Sequence, residues 1–302
     1  MWRTTTQHLY ALPWISLLTL FVPVTTRAAS LEASTSRAWD QYIESARLRM
    51  DRRLSPGETF LWLDEAQDRR ARARAGEIVA APVNPRNPVR VPSGLIHHWV
   101  GAVFIPGVTL KDTVQVLRDY SRYKDWYPPT VIDSKVIANG EAEDRFSMLL
   151  LNRTFFSKTA FDTDYESCLV RVDDFRAYSV SRTTRIQEIA EYGGPGQHFL
   201  PEGDGTGLIW RLFSMTRYVE RDGGVYFELE AIGLSRDIPS PLRWLVEPIV
   251  RRVSRESLLT SLRQTESAVQ PRSELANRKP GGEYSRGATA YGAAPPHAAD
   301  AR

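Results

Sequence analysis

The sequence predicts an α+β protein in which a curved antiparallel sheet of about seven strands wraps around one long C-terminal helix, with a helical extension at the N-terminus. Three observations lead to this fold class. Apolar residues recur at helical spacing over residues 31–75, the period changes to that of strands near residue 95, and one long amphipathic segment follows the last strand. With 42% hydrophobic and 10% aromatic residues, the 302-residue chain can bury a large core, which argues against disorder throughout.

Residues 1–29 have the pattern of an export signal peptide. Arg3 stands in a start without acidic residues, an apolar run follows, and small residues end the segment around Ala28. A membrane anchor is the alternative interpretation. However, Pro13 and Pro23 interrupt an apolar run of about 16 residues, whereas a spanning helix needs roughly 20. We therefore expect an exported protein, either periplasmic or secreted.

Residues 30–92 form the predicted helical extension and its linker. Trp39, Ile43 and Met50 fall at helical spacing, and four prolines near the end of the segment indicate an irregular connector. At the other end of the chain, residues 271–302 are rich in Pro, Gly, Ala and Ser and contain few large apolar side chains. A disordered tail is expected there.

Residues 93–270 are expected to form the main domain. A helical insert capped by Thr109 separates its first two strands, and Asn139 and Gly140 mark a hairpin turn. The predicted strands are 97–105, 131–138, 145–156, 159–172, 178–191, 208–220 and 225–234.

The last hairpin predicts which residues face each other. Asp222 and Gly223 form a two-residue turn, so counting back from it sets Arg217 opposite Glu228 and places Glu230 on the same face. We interpret these charges, together with Arg211, as a solvent-exposed ladder on one face of the sheet. The alternative is a buried polar anchor for a ligand's carboxylate or hydroxyl group.

The opposite face of this hairpin is apolar and is expected to face the C-terminal helix, which begins at Ser240 and Pro241. Apolar walls with a few hydroxyl groups are typical of ligand pockets, although a filled core is the alternative. The predicted ligand-binding residues, seven from the sheet and two from the helix, are Trp210, Leu212, Ser214, Thr216, Tyr218, Phe227, Leu229, Leu245 and Ile249.

Several local sequences resemble bacterial members of the START-like (SRPBCC, helix-grip) superfamily over roughly residues 95–269. They are His97-His98-Trp99-Val100-Gly101, Tyr123-Lys124-Asp125-Trp126-Tyr127-Pro128 and Leu234-Ser235-Arg236-Asp237-Ile238-Pro239. The resemblance implies a helix-grip fold with a cup between sheet and helix that holds lipids, sterols, polyketides or aromatic hormones. It carries over no catalytic residue, because the superfamily shares no catalytic motif.

Other classes of site find little support in the sequence. His97 and His98 are neighbours on a strand and point to opposite faces, so they do not predict a metal site. The basic residues are interleaved with acidic ones, which does not favour a nucleic-acid partner. No cofactor and no catalytic residue are predicted.

We therefore predict a monomer that binds a hydrophobic small molecule such as a lipid. Transport of the bound molecule is an extension of this prediction. The alternatives are a cyclase or aromatase acting in the same cavity, and a scaffold that binds a protein through its N-terminal helices. A pocket smaller than about 300 Å³ would argue against both small-molecule functions.

Basic residues on the C-terminal helix suggest transient contact with a membrane surface, or alternatively a solvated face; they are Arg243, Arg251, Arg252, Arg255 and Arg263.

Overall fold

The computed structural model describes residues 29–140, 142–153 and 158–270. The strands are β1 (Ala29–Ser30), β2 (Val79–Pro82), β3 (Val89–Val91), β4 (Gly94–Pro106), β5 (Val131–Asn139), β6 (Asp144–Arg153), β7 (Lys158–Arg171), β8 (Arg176–Ala190), β9 (His198–Phe199), β10 (Asp204–Gly205), β11 (Arg211–Arg221) and β12 (Gly224–Arg236). The helices are α1 (Ala33–Arg53), α2 (Gln67–Arg74), α3 (Leu110–Leu117), α4 (Tyr123–Trp126) and α5 (Arg243–Val269). The predicted signal peptide, except Ala29, and the predicted tail lie outside the described residues.

The main sheet is antiparallel, and its strands follow the order β2-β4-β12-β11-β8-β7-β6-β5. The seven predicted strands correspond to β4–β8, β11 and β12. The proline-rich linker differs from the prediction, because it contributes β2 and β3, which both pair with β4. Pro82 ends β2 and Pro92 follows β3, so these prolines leave the pairing of both strands intact.

Helix α5 covers one face of the sheet, which gives the predicted α+β, helix-grip arrangement. Leu258 and Leu262 of α5 pack with Tyr218 and Phe227 of the last hairpin. The helix approaches β4 closely at Gly101, where an added Cβ would lie 2.8 Å from the Leu262 Cδ1 atom. Helix α5 is continuous through Pro248.

The N-terminal extension covers the other face of the same sheet. Trp39 and Met50 of α1, with Leu61 and Leu63 of the following segment, are buried in one cluster with Met215 and other apolar residues of β11 and β12. The expected solvent-exposed ladder is therefore wrong. A sheet face that carries apolar residues beside its charges has to be covered, and α1 supplies the matching apolar side.

The charged residues on this face form a buried network. Arg217 is 1% exposed, and its Nε donates to Glu228 Oε1 while its Nη2 donates to Glu230 Oε2, both at 2.7 Å. The backbone N–H groups of Trp62 and Leu63 donate to the Glu228 carboxylate at 3.0 and 2.9 Å. Each charge thus has a partner, as burial requires.

The network extends through a histidine to helix α1. His98 Nε2 lies 2.8 Å from Glu230 Oε1, and the hydroxyl of Tyr42 lies 2.9 Å from His98 Nδ1. Burial alone would raise the pKa of Glu230, but the hydrogen bond with His98 and the charge of Arg217 lower this pKa to about 2. The carboxylate is therefore ionised across the physiological pH range.

None of the helices in the described part of the chain is long and apolar enough to cross a membrane.

Candidate ligand cavity

A cavity of about 280 Å³ lies between the sheet and helices α3, α4 and α5. Its lining draws on six neighbouring strands, from β5 at the sheet edge to β12 near its other side, and on α5. Strands this far apart in the sheet can border one cavity because the sheet bends around it, as the sequence predicted. From α5, the residues that border the cavity are Ser261, Gln264 and Thr265.

The lining combines aromatic rings with small hydroxyl side chains. Phe146 stacks between two tyrosines, with ring centroids 4.1 Å from Tyr120 and 4.9 Å from Tyr165. The other aromatic residues of the lining are Tyr123, Tyr127, Tyr218 and Phe227. The serines and threonine that the sheet contributes are Ser167, Ser179, Ser181, Ser214 and Thr216. This composition is typical of sites for apolar ligands, whose walls are apolar and whose few polar groups set orientation.

Five of the nine residues predicted from the sequence border this cavity: Ser214, Thr216, Tyr218, Phe227 and Leu229. They come together because alternate residues of a strand share a face and because the predicted hairpin register is the one observed.

Two further predicted residues lie near the start of β11 and do not border the cavity; Trp210 is buried and Leu212 is half-buried. Trp210 precedes the first residue of the strand, so the strand's alternation does not extend to it, and it packs in the cluster beneath the N-terminal extension. Leu212 packs against the cluster of Phe146 and Tyr165.

The predicted positions of Leu245 and Ile249 are wrong. Their side chains are 51% and 56% exposed, and neither borders the cavity. The reason is that the buried residues of α5 start only at Leu258, so the N-terminal half of the helix does not pack against the sheet. Helical periodicity shows which residues share a side, but not where along its length a helix meets its partner.

An ion pair that the sequence did not predict reaches the cavity through one of its two residues, Arg118. Arg118 donates two hydrogen bonds to Asp144, at 2.9 and 2.7 Å, and the Tyr120 hydroxyl donates to the same carboxylate at 3.0 Å. Among the described residues that border the cavity, Arg118 is the one with a charged side chain. Its partner is 26 positions away in the chain, a separation for which the sequence holds no local signal.

Arg118 stands at the entrance of the cavity. Together with Val114 and Leu169 it also borders an open cleft on the outside of α3. The guanidinium is partly exposed, whereas Asp144 is buried.

The tyrosine hydroxyls of the cavity stay protonated at physiological pH. Burial is the main cause, and it raises the pKa of Tyr127, Tyr165 and Tyr218 to about 12. Burial raises the pKa of Tyr120 and Tyr123 as well. The tyrosines therefore offer neutral groups that donate and accept hydrogen bonds.

The two histidines occupy opposite faces of β4. His97 Nε2 lies 3.0 Å from the hydroxyl of Ser235, while His98 belongs to the buried charged network. Within the described residues, no group of three or more His, Cys, Asp or Glu side chains is arranged to hold a metal ion.

No family model matches this sequence, and no curated protein matches it. Solved structures to which the chain is similar include a STAR-related lipid transfer protein fragment from Xanthomonas axonopodis, at 17% identity over 64% of this chain and 98% of that one, with a TM-score of 0.39. Human STARD10 is similar at 10% identity over 75% and 87% of the two chains, with a TM-score of 0.40. The Zhui aromatase/cyclase from a Streptomyces species is similar at 14% identity over 62% and 99%, with a TM-score of 0.36. At these identities the similarity concerns the fold alone.

Proposed function

We propose that this protein binds a hydrophobic small molecule in the cavity between the sheet and α5. The observation that carries the proposal is that the packed core leaves this space unfilled, with aromatic rings and hydroxyl groups around it. Burial of apolar ligand surface would drive binding at roughly 25 cal/mol per Å². We propose as ligand-binding residues the five predicted ones that border the cavity: Ser214, Thr216, Tyr218, Phe227 and Leu229.

The volume limits the size of the guest. At about 280 Å³ the cavity falls just short of the roughly 300 Å³ below which we expected small-molecule functions to lose support, so its volume counts against a guest of ordinary ligand size. It offers the space of about nine water molecules at roughly 30 Å³ each. A lipid with two long acyl chains is several times larger, so the structure supports a compact guest rather than a phospholipid enclosed whole.

A cyclase or aromatase activity in the same cavity finds less support. Proton transfer needs a side chain that can change its protonation state near physiological pH. Of the described groups that border the cavity, Arg118 is paired with Asp144, and the tyrosines Tyr127, Tyr165 and Tyr218 have pKa values raised to about 12. Binding requires no such group and is the function we propose.

Export and membrane contact complete the proposal. We propose an exported, monomeric carrier that loads or unloads at a membrane; the signal-like segment of residues 1–29 supports the export. The first half of α5 exposes an apolar side formed by Leu245, Ile249 and Val253. Arg252 lies beside it on the helix and forms no ion pair with described residues. Apolar side chains next to an unpaired guanidinium group are suited to an anionic bilayer surface.

Native mass spectrometry of the purified protein tests the binding function. We expect a bound molecule that organic extraction removes. The variant Ser214→Trp should lose this molecule, because the indole fills the cavity, whereas Ser55→Trp in the exposed segment after α1 should retain it. A protein that carries no guest, and takes up none of the naphthalene supplied to it, would contradict the proposal.

A further inference from the structure

Three serines lie side by side across the floor of the cavity. Ser214 of β11 is directly opposite Ser181 of β8, which is directly opposite Ser167 of β7. In the next row Thr216 faces Ser179. Because neighbouring strands are about 4.8 Å apart, the three serines span roughly 10 Å. A face that only filled a core would carry apolar side chains at these positions.

The hydroxyls of this serine row are only partly used by the protein. Ser181 Oγ donates to Ser167 Oγ at 2.7 Å. Within the described residues the Ser214 hydroxyl has no hydrogen-bond partner, although it borders the cavity. Ser181 keeps acceptor capacity after its donation, since a hydroxyl has one proton and two lone pairs. The row therefore presents hydrogen-bonding capacity to whatever occupies the cavity.

Among the described residues that border the cavity, none has a free positive charge to offer an anion. Arg118 is held by both oxygens of Asp144, and this carboxylate also accepts the Tyr120 hydroxyl. An anionic ligand would have to leave its charge unpaired in a buried site or break this ion pair, and both are costly. A neutral oxygen, by contrast, can be met by a serine or a tyrosine hydroxyl.

The shape of the lining adds a further restriction. Tyr120, Phe146 and Tyr165 form a stack of nearly parallel rings along one wall, with interplanar angles of 7° and 3°. Flat faces and edges of this kind suit a ring system. The volume of about 280 Å³ limits the guest to a compact molecule.

We propose that the serine row makes this cavity selective for a compact, uncharged ring compound that carries hydroxyl or carbonyl oxygens, with Ser214 as the residue that recognises an oxygen. The inference rests on the proposed binding function and adds a ligand class to it. Fatty acids and other carboxylates are discriminated against, because their charge finds no partner in the cavity.

Calorimetric titration of the full chain with three probes of similar size tests this. The probes are naphthalene, a naphthalenediol and naphthoic acid, at neutral pH. We expect the diol to bind more tightly than naphthalene, and naphthoic acid to bind at least ten times more weakly than the diol. Ser214→Ala should weaken diol binding about 3- to 10-fold and leave naphthalene binding unchanged. Ser147→Ala is the matched control, because Ser147 lies on the strand face opposite the cavity-lining Phe146 and Met148.

The outcomes separate the two proposals. If naphthalene binds but the diol binds no more tightly, or Ser214→Ala affects both probes equally, the binding function stands and the role of the serine row is overturned. Naphthoic acid binding as tightly as the diol would also overturn the selectivity for uncharged ligands. If neither naphthalene nor the diol binds, both the proposed binding function and the proposed ligand class are overturned.

Discussion

The guanidinium group of Arg217 donates a 2.7 Å hydrogen bond to Glu228 beneath the N-terminal extension, where both side chains are almost fully buried. The Glu228 carboxylate also accepts backbone N–H groups from Trp62 and Leu63. Two residues of the last hairpin thereby hold a segment that lies more than 150 positions away in the chain. The extension is thus part of the same packed structure as the sheet.

Replacing Glu228 should strongly destabilise the protein. In Glu228→Gln the guanidinium loses one of its two carboxylate partners while it stays buried. We expect the free energy of unfolding to fall by about 1.5–3 kcal/mol, the range for hydrogen bonds to a charged group, measured by urea denaturation. The control is Arg182→Gln, which removes a surface ion pair with Glu166 and should cost about 0–1 kcal/mol. Equal losses in the two variants would contradict a structural role for the buried pair.

Removal of residues 1–78 should abolish folding. The deletion takes away the buried side chains of Trp39, Met50, Leu61 and Leu63. At about 1.5–3 kcal/mol each, these four contribute as much as the whole stability of a typical domain, about 5–15 kcal/mol. Circular dichroism with thermal melting measures the effect. Deletion of residues 271–302, predicted to be disordered, should leave the melting temperature unchanged. A cooperative transition in the protein lacking residues 1–78 would refute this expectation.

Acid should destabilise the protein through His97. Burial lowers the pKa of this imidazole from 6.5 to about 4, so between these values the unfolded chain binds a proton that the folded protein does not. The free energy of unfolding is therefore unaffected by the protonation of His97 above about pH 6.5. It decreases by on the order of 3 kcal/mol as the pH falls to about 4, because the unfolded chain takes up the proton first. Urea denaturation at several pH values should show that His97→Phe removes this part of the pH dependence.

The exposed His198 supplies the control for that measurement. His198→Phe should leave the acid destabilisation in place, because this side chain lies on the surface of the folded protein. The assignment to His97 is wrong if both variants behave like the unmodified protein.

Charge introduced into the exposed side of α5 should abolish membrane binding without loss of stability. Ile249→Asp changes a side chain that is 56% exposed, so the free energy of unfolding should stay within about 0.5 kcal/mol. Sedimentation with anionic vesicles should show binding of the unmodified protein and not of the variant. Phe175→Asp is the matched control, because Phe175 is 60% exposed in the β7–β8 turn and should not matter for binding. Dimers in light scattering that Ile249→Asp dissociates would instead assign this side to a second copy of the chain.

The sequence was sufficient for the seven long strands β4–β8, β11 and β12 and for the pairing in the last hairpin. A two-residue turn at Asp222 and Gly223 allows only one pairing register between the two strands. Alternation then places Tyr218 and Phe227 on the side that packs against α5. These are local rules, in which the neighbours along the chain determine the conformation. The same rules gave the Thr109 cap, whose hydroxyl accepts from the backbone N–H of Asp112.

Only the tertiary structure decided what covers each face and how much space remains. Periodicity groups residues on a face, but a charged face is read as solvated unless the element that covers it is known, and here that element is α1. The apolar residues Met215 and Tyr226 lie on the same face as Arg217 and were a sign that this face is buried. That sign can be interpreted only when the covering helix α1 is known. The Arg118–Asp144 pair and the contact of α5 from Leu258 onward depend likewise on residues distant in the chain. The volume of a cavity is the small difference between the space that the fold encloses and the volume of the side chains that fill it. No local sequence pattern determines that difference.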